Sequence, residues 1–147
     1  MRPNLDVGDF VLVNRNAYGL EIPFTGREKL MSKGPEIGEI VVFFPPHKPT
    51  VPFVKRVIAK GGDTVTYVNK KYYVNGVVLS QEELDQNLNN NLLIESNGGK
   101  NYLIRHMPRR GQNGNWTIPE GMYFVSGDNR DNSNDSRAWG YISEDVI

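Results

Sequence analysis

Met122-Tyr123-Phe124-Val125-Ser126-Gly127-Asp128-Asn129-Arg130-Asp131-Asn132-Ser133-Asn134-Asp135-Ser136-Arg137-Ala138-Trp139-Gly140 runs from an apolar segment into a densely polar loop. Between Ser126 and Gly140 it carries three Asp, two Arg, three Asn and three Ser. The apolar residues read as a short buried strand. A strand that delivers such a loop is how scaffolds position chemistry. The same composition would also serve a solvated turn, because Asn, Asp, Ser and Gly each favour turns for local reasons. A calcium loop needs Gly at its sixth place and Glu at its twelfth. Counted from Asp128 those places hold Ser133 and Trp139, and counted from Asp131 they hold Ser136 and Ile142. Neither register fits.

Working outward, 147 residues make one domain, or one domain with a lobe, and can bury a real core. Seventeen basic and seventeen acidic residues balance to zero, which leaves no electrostatic footprint for a nucleic-acid partner. The absence of Cys removes disulfides and thiolate metal sites. The two His, His47 and His106, stand in unrelated contexts and suggest neither a Ser-His-Asp triad nor a His-rich zinc site, so no metal or cofactor is expected. No apolar run reaches the roughly 18 residues of a membrane span, and no signal peptide opens the chain. Nine Pro, fifteen Gly and many short β-branched or aromatic runs predict a mostly β protein of antiparallel sheets with little helix.

Taken in order, Phe10-Val11-Leu12-Val13 reads as a continuous apolar strand after the Gly8-Asp9 turn. Residues 15–37 read as a long connection. Ile40 to Phe44 is the next buried strand, closed by Pro45-Pro46, and Val51 to Ala59 follows. Gly61-Gly62-Asp63 turns the chain into Thr64 to Val68, which alternates as a half-buried strand does. Lys71 to Val74 and Val77 to Leu79 flank Asn75-Gly76, a strong hairpin signal. Ser80-Gln81-Glu82-Glu83 has the form of a capping box, with Leu84, Leu88 and Leu92 at helical spacing behind it, and predicts a short helix that the Asn run at 89–91 weakens. Residues 69–115 read as a β-rich lobe of low motif content, set against a core of 1–68 and 116–147.

Lys55 and Arg56 interrupt the apolar run Pro52-Phe53-Val54-Lys55-Arg56-Val57-Ile58-Ala59. A Lys in such a strand either snorkels at an edge or is desolvated. Desolvation disfavours the ammonium and lowers its pKa, which produces an amine able to take a proton from a Ser hydroxyl.

The segment Gly127 to Gly140 resembles the signature Gly-Asp-Asn-Arg-Asp-Asn-Ser-x-Asp-Ser-Arg-x-Trp-Gly of the type I signal peptidases, the Ser/Lys leader peptidases. It has no departure at the fixed positions. Phe53-Val54-Lys55-Arg56-Val57 with Gly62-Asp63 resembles the family segment that carries the general-base Lys, with Gly61 where Pro is common. Pro3, Leu5, Gly8-Asp9 and Val13 resemble its Ser-Met-x-Pro-Thr-Leu…Gly-Asp segment, with Asn4 in place of Thr. Gly38-Glu39-Ile40-Val41-Val42-Phe43 resembles its Gly-Asp-Ile-Val-Val-Phe strand. The resemblance covers residues 1–14, 38–68 and 120–147.

The resemblance implies a signal-peptidase-like β-fold with Lys55 as general base and Ser133 as the hydroxyl that orients its amine. Asp128, Asn129, Arg130, Asp135 and Arg137 would brace the loop, with Arg56 available as a partner for Asp128. On this reading the loop outweighs residues 84–100 in its contribution to stability. Met1, Leu5, Val11, Val42, Phe53 and Val54 would line two shallow apolar pockets for the small side chains of an Ala-x-Ala motif. In the family the nucleophilic Ser immediately precedes the Met that aligns with Met1. None of the seven Ser present (32, 80, 96, 126, 133, 136 and 143) has that context. The chain is therefore expected to be a fragment, or a reading frame begun late. The implied protein is an endopeptidase of the bacterial cytoplasmic membrane with its catalytic domain on the outer face. It would act on signal-peptide-bearing preproteins and meet lipid through an upstream segment. Two other readings stay open: a self-cleaving repressor or other Ser/Lys peptidase, and a catalytically silent module that binds extended peptides by strand addition.

Overall fold

The computed structural model describes residues 1–6, 8–14, 20–21, 29–30, 33–45, 47–84, 91–109, 111 and 113–147. Within the stretch read as a connection, the backbones of β1 (Leu20–Glu21) and β2 (Lys29–Leu30) pair as a small antiparallel ribbon. Then follow β3 (Ile40–Phe43), β4 (Phe53–Lys60), β5 (Thr64–Val68), β6 (Lys71–Val74), β7 (Val77–Val78) and β8 (Ser80–Glu83). The remaining strands are β9 (Leu92–Asn97), β10 (Lys100–Arg105), β11 (Gly114–Thr117), β12 (Met122–Ser126) and β13 (Ile142–Ser143). A 3₁₀ turn spans Arg130–Asn132 and a single helical turn, α1, spans Ser136–Trp139.

Strands β13-β12-β4-β3 form one antiparallel sheet, β11-β5-β6-β7 a second and β10-β9-β8 a third. The first sheet is covered on both faces. One face holds Val41, Phe43, Val57, Tyr123, Val125 and Ile142, while the other packs Ile58, Ala59 and Phe124 against Val65, Tyr67, Tyr72 and Ile118. Val57 and Ala59 would share a face in a regular strand. They face opposite ways because the β4–β12 register jumps from Phe124↔Ala59 to Val125↔Val57, which leaves Ile58 as the extra residue of a bulge. Buried on both faces, β4 reads as a continuous apolar run, and its two cations stand out against it.

The Asn75-Gly76 hairpin forms as the sequence suggests: Val74 pairs with Val77, and φ is +51° at Asn75 and +80° at Gly76. Both central residues of a type I′ turn require positive φ, which Asn tolerates and Gly adopts freely.

Two local expectations are corrected. Phe10 to Val13 joins no ladder among the described residues, and Phe10 and Leu12 are fully exposed. An apolar run becomes a strand only where a neighbouring backbone accepts its hydrogen bonds, and none of the described residues supplies one here. Ser80–Glu83 is not a helix start but strand β8, paired from Ser80↔Ser96 to Glu83↔Leu93. Ladder bonds to β9 satisfy the backbone groups that a capping box would have served, and the Gln81 side chain donates to Glu95 at 2.9 Å instead. Leu84 is exposed, Leu92 opens β9, and Leu88 lies outside the described residues.

Candidate active site

The pairing of Ser126 with Arg56 across β12 and β4 starts the polar loop beside Lys55. Register therefore closes the 78-position gap between Lys55 and Ser133, and Lys55 Nζ donates to Ser133 Oγ at 2.9 Å. Ser133 reaches that place by packing over Gly127. A Cβ on Gly127 would stand 2.2 Å from Ser133 Oγ and 3.6 Å from Lys55 Nζ, so the site has room for a hydrogen atom and nothing larger. Burial pushes the Lys55 pKa below the ordinary lysine range; the charges of Asp135 and Asp128 oppose the shift, and Arg137 adds to it. No carboxylate among the described residues pairs directly with Nζ.

Phe53, Lys55 and Val57 share one face of β4, and the Lys55 ammonium position lies 5.6 Å from the Phe53 ring centre. Phe53 packs on that face with Phe43, Trp139 and His47. Val42 and Val54 are direct cross-strand partners on the opposite face, both half-buried. Met1 and Leu5 are half-buried as well, while Val11 sits in the exposed stretch after Gly8.

Three buried arginine–carboxylate pairs hold the loop. Arg56 forks onto Asp128 at 2.9 and 2.8 Å, donates to the Gly38 carbonyl at 2.7 Å and stacks 3.9 Å from the Tyr102 ring centre. Arg137 forks onto Asp135 at 2.8 Å through Nε and again through Nη2, under the Tyr67 ring. Asp135 also accepts from the Gly127 N–H at 3.0 Å and Ser126 Oγ at 3.1 Å, and it caps α1 through the Arg137 N–H. Burial pushes the Asp135 carboxyl upward, but the Arg137 guanidinium, the Gly127 N–H and the Ser133 hydroxyl outweigh it and hold it below the ordinary carboxylate range. The third pair joins Arg130 to Glu95 on β9, both fully buried, with Tyr102 and Gln81 also donating to Glu95. Asn129 is half-buried, and its carbonyl accepts from the Asn132 N–H at 3.1 Å.

Glu95 escaped the sequence reading, although its buried pair with Arg130 makes it a structural member of the loop from within residues 84–100. The signal was an acid inside Leu92-Leu93-Ile94-Glu95, the same kind of charged interruption that marked Lys55. Asp131 was likewise passed over. It accepts from Lys70 at 3.0 Å and from the Met107 N–H at 2.7 Å, and His106 lies 3.4 Å away. Burial lowers the His106 pKa against the pull of Asp131.

A lysine amine desolvated in a strand, hydrogen-bonded to a serine and fenced by buried ion pairs has the perturbed environment that marks a candidate acid–base site. The chain belongs to the signal peptidase family, peptidase S26, which matches residues 1–147. A signal peptidase I of Pseudomonas aeruginosa is 40% identical over 147 residues, covering 95% of this chain and 52% of the relative. Signal peptidase IB of Staphylococcus aureus is 37% identical over 147 residues, covering all of this chain and 68% of the relative. A crystal structure of a signal peptidase I from Enterococcus faecalis superposes with a TM-score of 0.51 at 30% identity, covering 78% of this chain and 94% of that one. The chain spans about half the length of the Pseudomonas relatives it matches, at 52% of each.

Proposed function

We propose that this chain is catalytic-domain sequence of a membrane-associated serine endopeptidase that removes signal peptides from exported preproteins after a small-x-small motif of the Ala-x-Ala kind. The observation that carries the reading is the Lys55–Ser133 hydrogen bond of 2.9 Å over Gly127, with the amine depressed toward its neutral form. Lys55 is the general base and Ser133 holds its nitrogen in place. In the register of the family motif, the attacking hydroxyl belongs to the residue immediately before Met1.

The reaction runs in two proton-balanced halves. Lys55 Nζ takes the hydroxyl proton as the serine oxygen attacks the scissile carbonyl. The resulting ammonium returns that proton to the amine leaving group as the C–N bond breaks, which leaves an acyl-enzyme ester and a neutral lysine. Water then attacks the ester with its proton passing to Lys55, and the serine oxygen recovers that proton on release of the signal peptide. Only water is consumed. Met1, Leu5, Val11, Val42, Phe53 and Val54 are assigned to the apolar subsites for the small side chains. Lipid contact comes through an upstream segment at the bacterial cytoplasmic membrane, with the catalytic domain on its outer face. Among the described residues, no helix is long and apolar enough to cross a membrane.

The test follows an internally quenched Ala-x-Ala peptide in detergent. It compares the chain starting at Met1, a chain extended upstream by its native residues, the extended chain with the new Ser changed to Ala, and the extended Lys55→Arg variant. Arg stays protonated and cannot accept a proton. Cleavage confined to the extended unmodified chain is expected. Turnover by Lys55→Arg would overturn the base assignment, and peptide binding without cleavage in every form would establish the silent module.

A further inference from the structure

The side chain of Asn4 fastens the start of the chain to the polar loop. Its carboxamide donates to the Leu103 carbonyl on β10 at 2.7 Å and to Asp128 Oδ2. The backbone N–H groups of Asn4 and Leu5 both donate to the Met1 carbonyl, at 3.0 and 3.1 Å, so residues 1–5 close into a hydrogen-bonded turn. Among the described residues of this segment, the other polar contacts seen are local, Arg2 with Asp6 and Asp6 with Asp9. Asp128 in turn is gripped by Arg56, the neighbour of Lys55 on β4. A short hydrogen-bonded path therefore runs from the Met1 carbonyl through Asn4, Asp128 and Arg56 to the backbone that carries the lysine amine.

We infer that Asn4 is a positioning residue that sets where the segment opening at Met1 stands relative to Lys55. This rests on the proposed function, in which the attacking hydroxyl lies on the residue before Met1. A carboxamide has two N–H donors, and here both are used, one on a neutral carbonyl and one on a carboxylate, where hydrogen bonds are stronger. The Thr that stands here in the family pattern has one hydroxyl donor and cannot serve both acceptors. An Asp would turn a carboxylate against Asp128. Asn at this position therefore ties the first segment to the loop and to β10 together. Geometry alone makes such a tether matter, because a displacement of about 1 Å in a reacting group can cost on the order of 10²-fold in rate.

The experiment uses the parent chain with its upstream residues, the quenched Ala-x-Ala peptide and hydrogen exchange. Asn4→Ala is expected to lower kcat by about 10- to 100-fold, and KM should rise as well because the released turn carries the proposed subsite residues Met1 and Leu5. The acid limb of its kcat/KM profile should stay where it is, because the surroundings of Lys55 do not change. Asn4→Asp should fall further, and Asn4→Thr, which keeps the bond to Asp128, should recover part of the loss. Independently of activity, the Asn4 and Leu5 amides should exchange roughly tenfold faster in Asn4→Ala while the β4 amides stay protected. A kcat for Asn4→Ala within about twofold of the parent overturns the inference. So does a loss accompanied by a shifted acid limb and faster exchange in β4, which would make Asn4 a prop for the Asp128–Arg56 pair instead. If cleavage survives removal of the upstream hydroxyl, the proposed function fails and takes the inference with it. If cleavage needs that hydroxyl and Lys55 but not Asn4, the inference alone fails.

Discussion

Replacing Asp135 with Ala should destabilise the domain by about 4 kcal/mol, within the roughly 3–5 kcal/mol found when one partner of a buried ion pair is removed. The carboxylate is fully buried and accepts from Arg137 Nε, Nη2 and N, from Ser126 Oγ and from the Gly127 N–H. Its loss strands a guanidinium that is only 8% exposed and keeps just the Arg130 carbonyl as acceptor. The lost cap of α1, worth about 1 kcal/mol alone, overlaps with this and does not add in full. At about 3 °C per kcal/mol for a chain of this size, the unfolding midpoint should fall by about 12 °C. Urea melts at constant m-value measure the change. Asp135→Ala with Arg137→Met should cost less than Asp135→Ala alone, because no buried charge is then left over. The pH dependence has a definite sign. The folded-state pKa of Asp135 lies below its unfolded value, so its contribution is complete above the unfolded carboxylate pKa of about 3.9 and disappears as pH falls through the depressed folded value. The gap between parent and variant should therefore close in acid. A gap of less than about 1 kcal/mol at pH 7 would mean that water reaches the loop and the ion pair behaves as a surface one, and the reasoning would fail.

Glu95→Ala should cost a similar amount by the same measurement, since it leaves Arg130 with no exposed surface and no carboxylate; a neutral result would show that the β9 pair is dispensable. Gly127→Ala should fold with a loss of about 1–3 kcal/mol from overpacking. Its new methyl must push Ser133 off Lys55, so peptide cleavage should fall by on the order of 10²-fold, and parent-like kcat would refute the close-approach argument. In the upstream-extended chain, kcat/KM should rise with pH along a limb set by Lys55, which acts only when neutral, and that limb should lie below the ordinary lysine pKa of about 10.4. A limb at the ordinary value would mean that the amine is solvated.

Much of this site can be read from the sequence, for a local reason. Strands β3 and β4 declared themselves as apolar runs, β5 through alternation, and β6 and β7 through the Asn75-Gly76 turn, because run length, side-chain period and turn backbone are set by neighbours along the chain. Lys55 stood out because a cation inside an apolar run conflicts with its surroundings wherever the run ends up, and the Gly127–Gly140 pattern supplied its partner loop through resemblance. Glu95 carried the same mark and was passed over because no motif surrounded it.

The sequence by itself determined the class of fold, the hairpin, and which charged residues had to be accounted for. Only the tertiary structure decided which charges meet. That Lys55 touches Ser133, that Arg130 reaches across to Glu95, and that Asn4 ties the first turn to Asp128 are all contacts between distant parts of the chain, the first of them set by the β4–β12 register. It also decided that Ser80–Glu83 extends rather than coils and that Phe10 to Val13 stays uncovered. Backbone hydrogen bonds and apolar surface are satisfied by whatever lies across the gap, and what lies there comes from distant parts of the chain. Local pattern records what a segment needs, while the partner that meets the need is fixed only when the sheets close.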